Sequence, residues 1–373
     1  MKAVFRVDSG TEIGTGHVMR CLTLAKELSS KYWDISFISR EHSGNISDYI
    51  YTQNYHMDLL PVSMPATGEY ATWLGVDRRA DPLDVINIVI RENADLLIVD
   101  HYGVDHNWLS EVRKLRPNMK IMVIDELANR ELDCDLLLDQ TYGMNADEYK
   151  ALVPDRCKLL LGSQYALLRD EFRKNRSGSL QRRKTNNIVR SIIISLGGVD
   201  KNNASGIILK ALVSVDWEKY CGRIPKLNVI ISKRSPAYED VLNSASLFIK
   251  KYRLNIKVLS DISHMAKLMA TSDLAFGAAG TTSWERCCLG LPSIILVLAH
   301  NQEKIAKNLD ESGAVINLGY TEHLNEKAIK IAVDKILKKP SKLKTMSASS
   351  AKICDGKGVE RCVSAIETLF NKK

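Results

Sequence analysis

The feature that most constrains this chain is a short apolar strand, a glycine turn and a helix, which occur in that order twice. The first copy spans residues 3–30 and has its turn at Gly14 and Gly16, and the second spans residues 190–212. A glycine turn at the start of a helix lets a ligand approach free backbone N–H groups. The repeated pattern predicts two similar domains, each opening with a strand and a helix.

Further apolar runs alternate with helical patterns through both halves of the chain. Strands are predicted at residues 34–40, 94–102, 120–126 and 134–140 in the first half, and at 226–232, 255–261, 272–280 and 292–299 in the second. Runs that are apolar throughout are typical of parallel strands covered by helices on both faces. We therefore expect an α/β fold with two Rossmann-like domains that face each other across a cleft, where ligands of such sheets bind.

A polar segment at residues 172–187 carries six arginine or lysine residues and interrupts the pattern. A nucleic-acid-binding tail is one interpretation, but no aromatic residues are interleaved, which favours a solvated linker. We therefore predict an N-terminal domain at residues 1–171, a basic linker, and a C-terminal domain at residues 188–356. A closing helix at residues 357–373 follows, and packing on the N-terminal domain is one arrangement open to it.

The composition narrows the class of protein. The chain has 373 residues, 45% of them hydrophobic, a formal net charge of +8, and eight cysteines without a CxxC pair. No apolar run reaches the roughly 18 residues of a membrane span, and the first residues lack the pattern of a signal peptide. We expect a cytoplasmic protein with reduced thiols. Its positive charge is compatible with nucleic acid, anionic lipid or a phosphorylated small molecule.

The first glycine turn favours phosphate over a dinucleotide. Gly14 and Gly16 precede a helix, whose N-terminus attracts anions. A dinucleotide fingerprint needs a third glycine where Met19 stands, and an acid at the end of the second strand, where Arg40 stands. His17 lies at the same turn. Its residue type suits a general base, but a histidine that only packs or binds a phosphate has the same spacing.

A second candidate site lies between residues 276 and 302. Hydroxyls of Thr281 and Thr282 at a helix start can hold phosphate oxygens, and Glu285 can accept both hydroxyls of a ribose. The same Thr282–Glu285 spacing is also that of a capping box. Asn301 and Gln302 follow a strand, where amides can bind sugar groups or cap the next helix.

Metal and cofactor sites are not indicated. Asp100 and His101 end a strand, but adjacent side chains on a strand point to opposite faces. The acids at residues 133–135 precede a strand rather than follow one. The sequence has no zinc-ligand spacing and no Walker A loop. We expect neither a metal nor a cofactor.

At this point several motifs together resemble the PseG family of UDP-sugar hydrolases. They run from residue 5 to residue 302 in the family's order: FRVDSGTEIGTGHVMRCLTLA, VDHYGVD, VIDELANRELDCDLLLDQ, YALLRDEF, ISLGGVDKNN and GAAGTTSWERCCLGLPSIILVLAHNQ. The family is similar in fold to the MurG-type glycosyltransferases of the GT-B class. The resemblance implies metal-independent hydrolysis of UDP-2,4-diacetamido-2,4,6-trideoxy-β-L-altropyranose to the free sugar and UDP, in pseudaminic acid biosynthesis.

The resemblance also assigns residues by position in the motifs. The family's catalytic histidine corresponds to His17, and catalysis is further assigned to Asp8 and Tyr102. Binding of the UDP-sugar is assigned to Gly14, Thr15, Gly16, Arg20, Arg169, Gly197, Gly198, Gly280, Thr281, Thr282, Glu285, Asn301 and Gln302. Among these, Glu285 corresponds to the glutamate that holds the ribose. His300 and the basic stretch at residues 338–344 have no counterpart with a role.

The implied partner is the UDP-sugar, with no nucleic acid and no membrane span. A monomer is compatible with the sequence, which does not determine the oligomeric state. Three alternatives stay open. They are hydrolysis of a related UDP-diacetamido sugar, a GT-B glycosyltransferase that uses a UDP-sugar donor, and a binding protein without chemistry.

Overall fold

The computed structural model describes residues 1–63, 70–186, 188–197, 200–260 and 262–371. The chain divides into two compact units: unit 1 comprises Met1–Leu167 and the chain from Lys357 on, and unit 2 comprises Leu168–Gly356. Gly198, assigned above to ligand binding, lies outside the described residues. Within those residues, no helix has the length and hydropathy needed to cross a membrane.

Unit 1 is built on a parallel sheet of seven strands in the order β3-β2-β1-β4-β5-β6-β7. The strands are β1 (Lys2–Val7), β2 (Asp34–Arg40), β3 (His56–Leu60), β4 (Leu96–Asp100), β5 (Lys120–Ile124), β6 (Leu136–Asp139) and β7 (Lys158–Leu161). The sequence did not predict β3 and β7. These are the two edge strands, and each is partly exposed, so neither forms a continuous apolar run.

Helices cover both faces of this sheet. They are α1 (Gly16–Ser30), α2 (Ser47–Thr52), α3 (Ala80–Arg91), α4 (His106–Leu115) and, from the end of the chain, α14 (Gly358–Phe370). Helix α1 buries Val18, Cys21 and Leu22 at the spacing of one helix face. Helix α14 packs against α1 and contributes Cys362 and Ile366 to the same core.

The strand order of unit 1 reverses at β1. Strand β1 pairs with β2 on one side and with β4 on the other, and Val7 lies opposite Asp100 at the carboxyl ends. In open parallel sheets, the crevice beyond such a reversal is the usual ligand position. The two segments that follow β1 and β4 therefore carry the candidate site of this unit.

Unit 2 has a parallel sheet of six strands in the order β10-β9-β8-β11-β12-β13. The strands are β8 (Ser191–Ser195), β9 (Lys226–Ile230), β10 (Ile256–Leu259), β11 (Leu274–Ala278), β12 (Ser293–Val297) and β13 (Val315–Tyr320). Its helices are α5 (Asp170–Thr185), α6 (Ala204–Val213), α7 (Trp217–Cys221), α8 (Tyr238–Tyr252), α9 (Met265–Thr271), α10 (Thr282–Cys288), α11 (Glu303–Glu311), α12 (Glu326–Leu337) and α13 (Ser341–Ile353). The strand order reverses at β8, next to β11.

The segment expected to be a basic linker is instead helical through Thr185, as helix α5 of unit 2. The reason lies in its arginines. Arg183 is buried and donates to the carbonyl oxygens of Met269, Ser272 and Leu289. These carbonyls lie at the ends of α9 and α10, where the last helical oxygens lack intrahelical partners. The basic side chain therefore stabilises a packed helix rather than facing solvent.

Candidate active site

The glycine turn of unit 1 leads into a helix start without a side-chain cap. Gly14 has a φ of 81°, a left-handed conformation that favours glycine, and its N–H bonds back to the carbonyl of Gly10. Thr15, at the N-cap of α1, makes no capping bond, and the first turn of α1 holds no acidic residue. Thr15 and Gly16 are exposed. Backbone donors of this turn are therefore placed to receive an anion.

His17 is held by an acid that comes from β4. The His17 Nδ1 atom lies 2.6 Å from Asp100 Oδ1, although 83 residues separate the two in the chain. Asp100 also accepts from Arg20, whose Nε and Nη2 atoms lie 2.6 and 2.7 Å from its two oxygens. Burial alone would raise the pKa of Asp100, but the charges of Arg20 and His17 outweigh burial and lower this pKa below its usual range. Asp100 is therefore ionised and accepts the Nδ1–H proton of His17.

This bond sets the tautomer of His17. A carboxylate has no proton to donate, so Nδ1 must be the donor and, in the neutral ring, Nε2 keeps its lone pair. The side chain of His17 is 11% exposed, whereas that of Asp100 is fully buried. The arrangement gives one accessible histidine a basic nitrogen and a fixed ring orientation. Asp100 was considered above only for metal binding, so its role beside His17 was missed.

Arg20 and Tyr102, two residues assigned from the motifs, are buried near His17 and are not exposed at the surface. Arg20 is buried, and its Nη1 atom lies 2.9 Å from Glu126 Oε1. Tyr102 is also buried and donates its hydroxyl to Glu126 Oε2 at 2.8 Å. Burial, followed by the Glu126 charge, raises the pKa of Tyr102 well above its usual range. Arg20 was expected to bind substrate. In the structure, its guanidinium instead forms ion pairs with Asp100 and Glu126.

Aromatic rings surround the imidazole. The Tyr102 ring meets that of His17 edge-on, with a centroid distance of 4.9 Å. Trp73 stacks on Tyr102 at 5.6 Å and lies 5.8 Å from His17. Trp73 is only partly buried, so part of its apolar surface is accessible beside His17. This surface could contact the apolar groups of a small ligand.

Asp8, assigned above to catalysis, lies in a different network. Its carboxylate lies 2.6 Å from Arg6 Nη1, accepts from the backbone N–H of Arg40 at 2.7 Å, and lies 3.2 Å from His101 Nε2. Burial opposes its ionisation, but Arg6 outweighs burial and lowers the pKa of Asp8. The described bonds of Asp8 thus include none to His17, and the assignment of Asp8 to catalysis remains a prediction. Asp100 and His101 reach separate networks, as adjacent side chains on a strand do.

The turn between β11 and α10 in unit 2 holds the second group of assigned residues. Arg169 Nη2 lies 3.4 Å from Glu285 Oε1, and the Glu285 side chain is 15% exposed. Burial raises the pKa of Glu285, and Arg169 partly offsets it. Thr282 accepts from Arg286, and Thr281, at the N-cap, makes no side-chain bond to the helix. The capping-box alternative for Thr282 and Glu285 is therefore wrong.

The amides that follow β12 lie beside the same turn. Gln302 accepts from the backbone N–H of Leu298 at 3.1 Å and, as the N-cap of α11, makes no capping bond. A Cβ built on Gly280 would lie 3.5 Å from Gln302 Nε2. Asn301 lies in the same short turn, His300–Gln302, and is partly exposed. The structure thus brings Gly280 and Gln302 together, although 22 positions separate them in the chain.

The second glycine turn differs from the first. Gly197 also has a positive φ of 92°, but the helix that follows is capped. Asp200 accepts from the N–H groups of Ala204 and Ser205, and Asn203 accepts from that of Gly206. These bonds use the donors that an anion would need. Binding by Gly197 therefore remains a prediction without support from an open helix start.

The two acids at residues 133–135 that were considered for metal binding form ion pairs with an arginine. Asp133 and Asp135 both accept from Arg113, at 3.0 and 3.1 Å. Within the described residues, one group has side chains close enough together to hold a metal ion, namely His56, Asp58 and Glu92. Asp58 and Glu92 already pair with Arg91.

The chain is similar to several known proteins. Residues 207–361 match the glycosyltransferase family 28 C-terminal domain. The UDP-2,4-diacetamido-2,4,6-trideoxy-beta-L-altropyranose hydrolase of Campylobacter jejuni is 28% identical over 320 residues, which cover 86% of this chain and 100% of the relative. The spore coat polysaccharide biosynthesis protein SpsG of Bacillus subtilis is 22% identical and covers 98% of both chains. The structure of MurG from Acinetobacter baumannii matches with a TM-score of 0.69 at 15% identity, covering 99% of this chain and 100% of MurG.

The two parallel-sheet units and the match to MurG show a GT-B-like fold. Among proteins with that fold, the similarity to the Campylobacter hydrolase and the family 28 match confirm the resemblance to the PseG family that the motifs indicated.

Proposed function

We propose that this protein is an enzyme that hydrolyses UDP-2,4-diacetamido-2,4,6-trideoxy-β-L-altropyranose to the free diacetamido sugar and UDP. The main observation behind this proposal is the contact between His17 and Asp100, in which the His17 Nδ1 atom lies 2.6 Å from the buried carboxylate. The similarity to the Campylobacter hydrolase supports the substrate class. The place in pseudaminic acid biosynthesis rests on the resemblance of the motifs to the PseG family.

The chemistry needs one base and a stabilised leaving group. The Nε2 lone pair of His17 accepts a proton from water, and the water oxygen attacks the anomeric carbon as the bond to the UDP oxygen breaks. The bonding electrons leave with UDP, and the sugar inverts its configuration. Base catalysis of this kind contributes roughly 10²–10⁴-fold. Backbone donors at Thr15–His17 stabilise the charge that grows on the diphosphate, so the proposed mechanism needs no metal.

Unit 2 supplies the nucleotide contacts in this proposal. Glu285 accepts from the ribose hydroxyls, and Gly280, Thr281 and Thr282 donate to the diphosphate. Asn301 and Gln302 are amides at the neighbouring turn, and we assign them to the sugar. Arg169 orients Glu285 through the contact between their side chains at 3.4 Å.

An experiment in isotopically labelled water tests the hydrolysis. With the pathway UDP-sugar in ¹⁸O-water and EDTA, we expect UDP release with the label in the sugar. Label in the UDP phosphate would contradict attack at carbon. Comparing the substrate with its epimers would establish which UDP-diacetamido sugar is used.

The Asp100→Asn substitution tests how the base is held. An asparagine amide can donate its proton to Nδ1, which would shift the histidine proton to Nε2 and remove the base. We expect kcat to fall by about 10²–10⁴-fold, as for loss of the base itself, with a smaller change in KM. His17→Gln should cause a loss of similar size, and the double variant should lose little more than either single variant. Full turnover by His17→Gln would exclude His17 as the base.

A second candidate function is glycosyl transfer from a UDP-sugar to a hydroxyl acceptor. It is favoured by the match of residues 207–361 to a glycosyltransferase domain. A transferase would release UDP only when an acceptor is added, whereas the hydrolase releases UDP with water alone. The same UDP assay, run with and without acceptor sugars, separates the two functions.

A further inference from the structure

The turn between β11 and α10 lies over a buried arginine that has no carboxylate partner among the described residues. Arg286 is 2% exposed. Its Nη2 atom donates to the carbonyl oxygen of Ala278 at 2.7 Å and to Ser283 Oγ at 3.0 Å, and its Nη1 atom donates to Thr282 Oγ1 at 3.0 Å. All three acceptors are neutral. Arg286 Nε has no partner in the described part of the chain.

A purely structural role, such as that of Arg183 in α5, leaves the Nε atom of Arg286 without a partner within the ranges that the structure describes. Burying a cation costs free energy unless an anion neutralises it. The nearest acid along the chain is Glu285, and its described ion pair is with Arg169. Burial lowers the pKa of Arg286 to about 10, so the side chain is still charged at neutral pH. The folded protein therefore holds a positive charge beneath the turn that Glu285 attracts, although no ion pair between the two side chains is formed in the described residues.

The chain also makes room for this guanidinium. A Cβ built on Gly277, the fourth residue of β11, would overlap Arg286 Nη1. Glycine at this position is thus required by the arginine rather than by an unusual backbone conformation.

The bond from Arg286 determines what Thr282 can do. A threonine hydroxyl has two acceptor sites and one proton to donate. Because Thr282 Oγ1 accepts from Arg286, its proton is left for another acceptor, and no described bond uses it. Thr282 is partly exposed, so the proton can reach a ligand at the surface of the turn.

We propose that Arg286 is a positioning residue for the diphosphate of the nucleotide: it fixes the Thr282 hydroxyl as a donor and supplies a positive charge from below the turn. This inference rests on the proposed function only in placing the diphosphate at this turn. The phosphate oxygens are then the missing counter-charge.

Binding of nucleotide fragments to the full chain tests the proposal. Calorimetric titration with UDP, UMP and uridine should show that Arg286→Met weakens UDP binding by about 10–100-fold, as expected for loss of a charge-assisted contact, while uridine binding changes by less than about threefold. The matched control is Arg183→Met, which removes another buried arginine bonded to neutral oxygens, at the opposite end of α10. It should bind UDP as the wild type does.

Thr282 gives an independent measurement if Arg286→Met does not fold. Thr282→Val keeps the shape but lacks the donor and should weaken UDP binding by about tenfold, whereas Thr282→Ser should restore most of it. The thermal midpoint without ligand should be similar in these two variants.

Two results overturn the proposal: Arg286→Met and Thr282→Val that bind UDP within about threefold of wild type, or a wild type that does not bind UDP. An equal loss of uridine binding in Arg286→Met would indicate a structural role instead. Turnover is assayed separately, so a wild type that binds UDP but does not release it from the sugar contradicts the hydrolase alone.

Discussion

The site residues of unit 1 show how one histidine acquires a defined protonation pattern. Three successive ion pairs or hydrogen bonds link His17 to Asp100, Asp100 to Arg20, and Arg20 to Glu126. Because Arg20 is a counter-ion of Asp100, the carboxylate orients the imidazole without requiring that the imidazole be charged. Alternation of charge compensates Asp100, Arg20 and Glu126, which a lone buried acid could not achieve.

A second residue-scale feature concerns proton sharing. The hydroxyl of Tyr149 lies 2.9 Å from both Asp125 Oδ2 and Asp139 Oδ2. It has one proton, so it cannot donate to two carboxylates at once. Asp125 also pairs with Arg130 and accepts two backbone N–H groups. Burial and the Glu126 charge raise the pKa of Asp139 to about 7. Below pH of about 7, Asp139 therefore keeps its own proton and can donate it to Tyr149.

This assignment predicts how stability depends on pH. The folded state retains the Asp139 proton between pH of about 4 and 7, while the unfolded state releases it, so the free energy of unfolding falls as the pH rises through that window. The pKa of Asp139 differs by about three between the folded and unfolded states, so the free energy of unfolding can change by at most about 4 kcal/mol. Asp139→Asn, which still donates to Tyr149, should be more stable than wild type at pH 8 and nearly equal at pH 4.5. Urea unfolding at the two pH values measures this.

The neighbouring acid provides the control. Asp125→Asn loses its ion pair with Arg130 and should be less stable than wild type at pH 8. Equal stabilisation by both substitutions would show that Asp139 is not the protonated partner.

At the scale of single elements, the two glycine turns differ in how their helices begin. Helix α1 has no side-chain cap, whereas Asp200 and Asn203 cap α6. Asp200 also has a φ of 38°, which aspartate and asparagine tolerate better than alanine does. The cap makes the start of α6 a stabilising element, while the start of α1 has no such cap.

The substitution Asp200→Ala should therefore destabilise the protein by about 0.5–2 kcal/mol through the lost cap. Asp200→Asn should restore only part of this, because its one amide oxygen can accept from Ala204 or from Ser205 but not from both. Thermal unfolding monitored by circular dichroism measures both. An alanine variant as stable as wild type would mean that the two Asp200 bonds contribute nothing.

Helices and strands were predictable from the sequence where the local hydrophobic pattern determines them. They were not predictable where contacts with residues distant in the chain determine the structure. The continuous apolar runs predicted β1, β4 and β5 because both faces of these strands are buried. Helix α5 looked like a linker because it is polar nearly throughout, and its packing depends on carbonyl groups about 90 to 110 residues away. Pairing of His17 with Asp100 likewise requires that β1 and β4 be neighbours, which the strand order decides.

At the scale of the whole molecule, unit 1 is assembled from two separate parts of the chain. Gly358 begins α14 directly against the backbone of Tyr165 and Ala166, where a Cβ would overlap the chain. The two crossings between the units, after Leu167 and before Lys357, therefore lie close together at unit 1. The core of unit 1 is complete only when both parts are present.

A fragment of residues 1–167 should thus fail to unfold cooperatively, because α14 buries Cys362, Val363 and Ile366, and each such side chain is worth about 1.5–3 kcal/mol. Joining residue 167 to residue 357 by a short glycine–serine linker should restore cooperative unfolding. Thermal melts of the two proteins make the comparison. A cooperative transition in the 1–167 fragment at the same temperature would contradict this view of the core.

The split of unit 1 also has a consequence during synthesis. All of unit 2 is translated before α14, which at about 5–20 residues per second takes roughly 10–40 s. Throughout that interval, the part of α1 that packs against α14 stays uncovered on the nascent chain. Synthesis of unit 1 therefore begins before that of unit 2 and is completed after it.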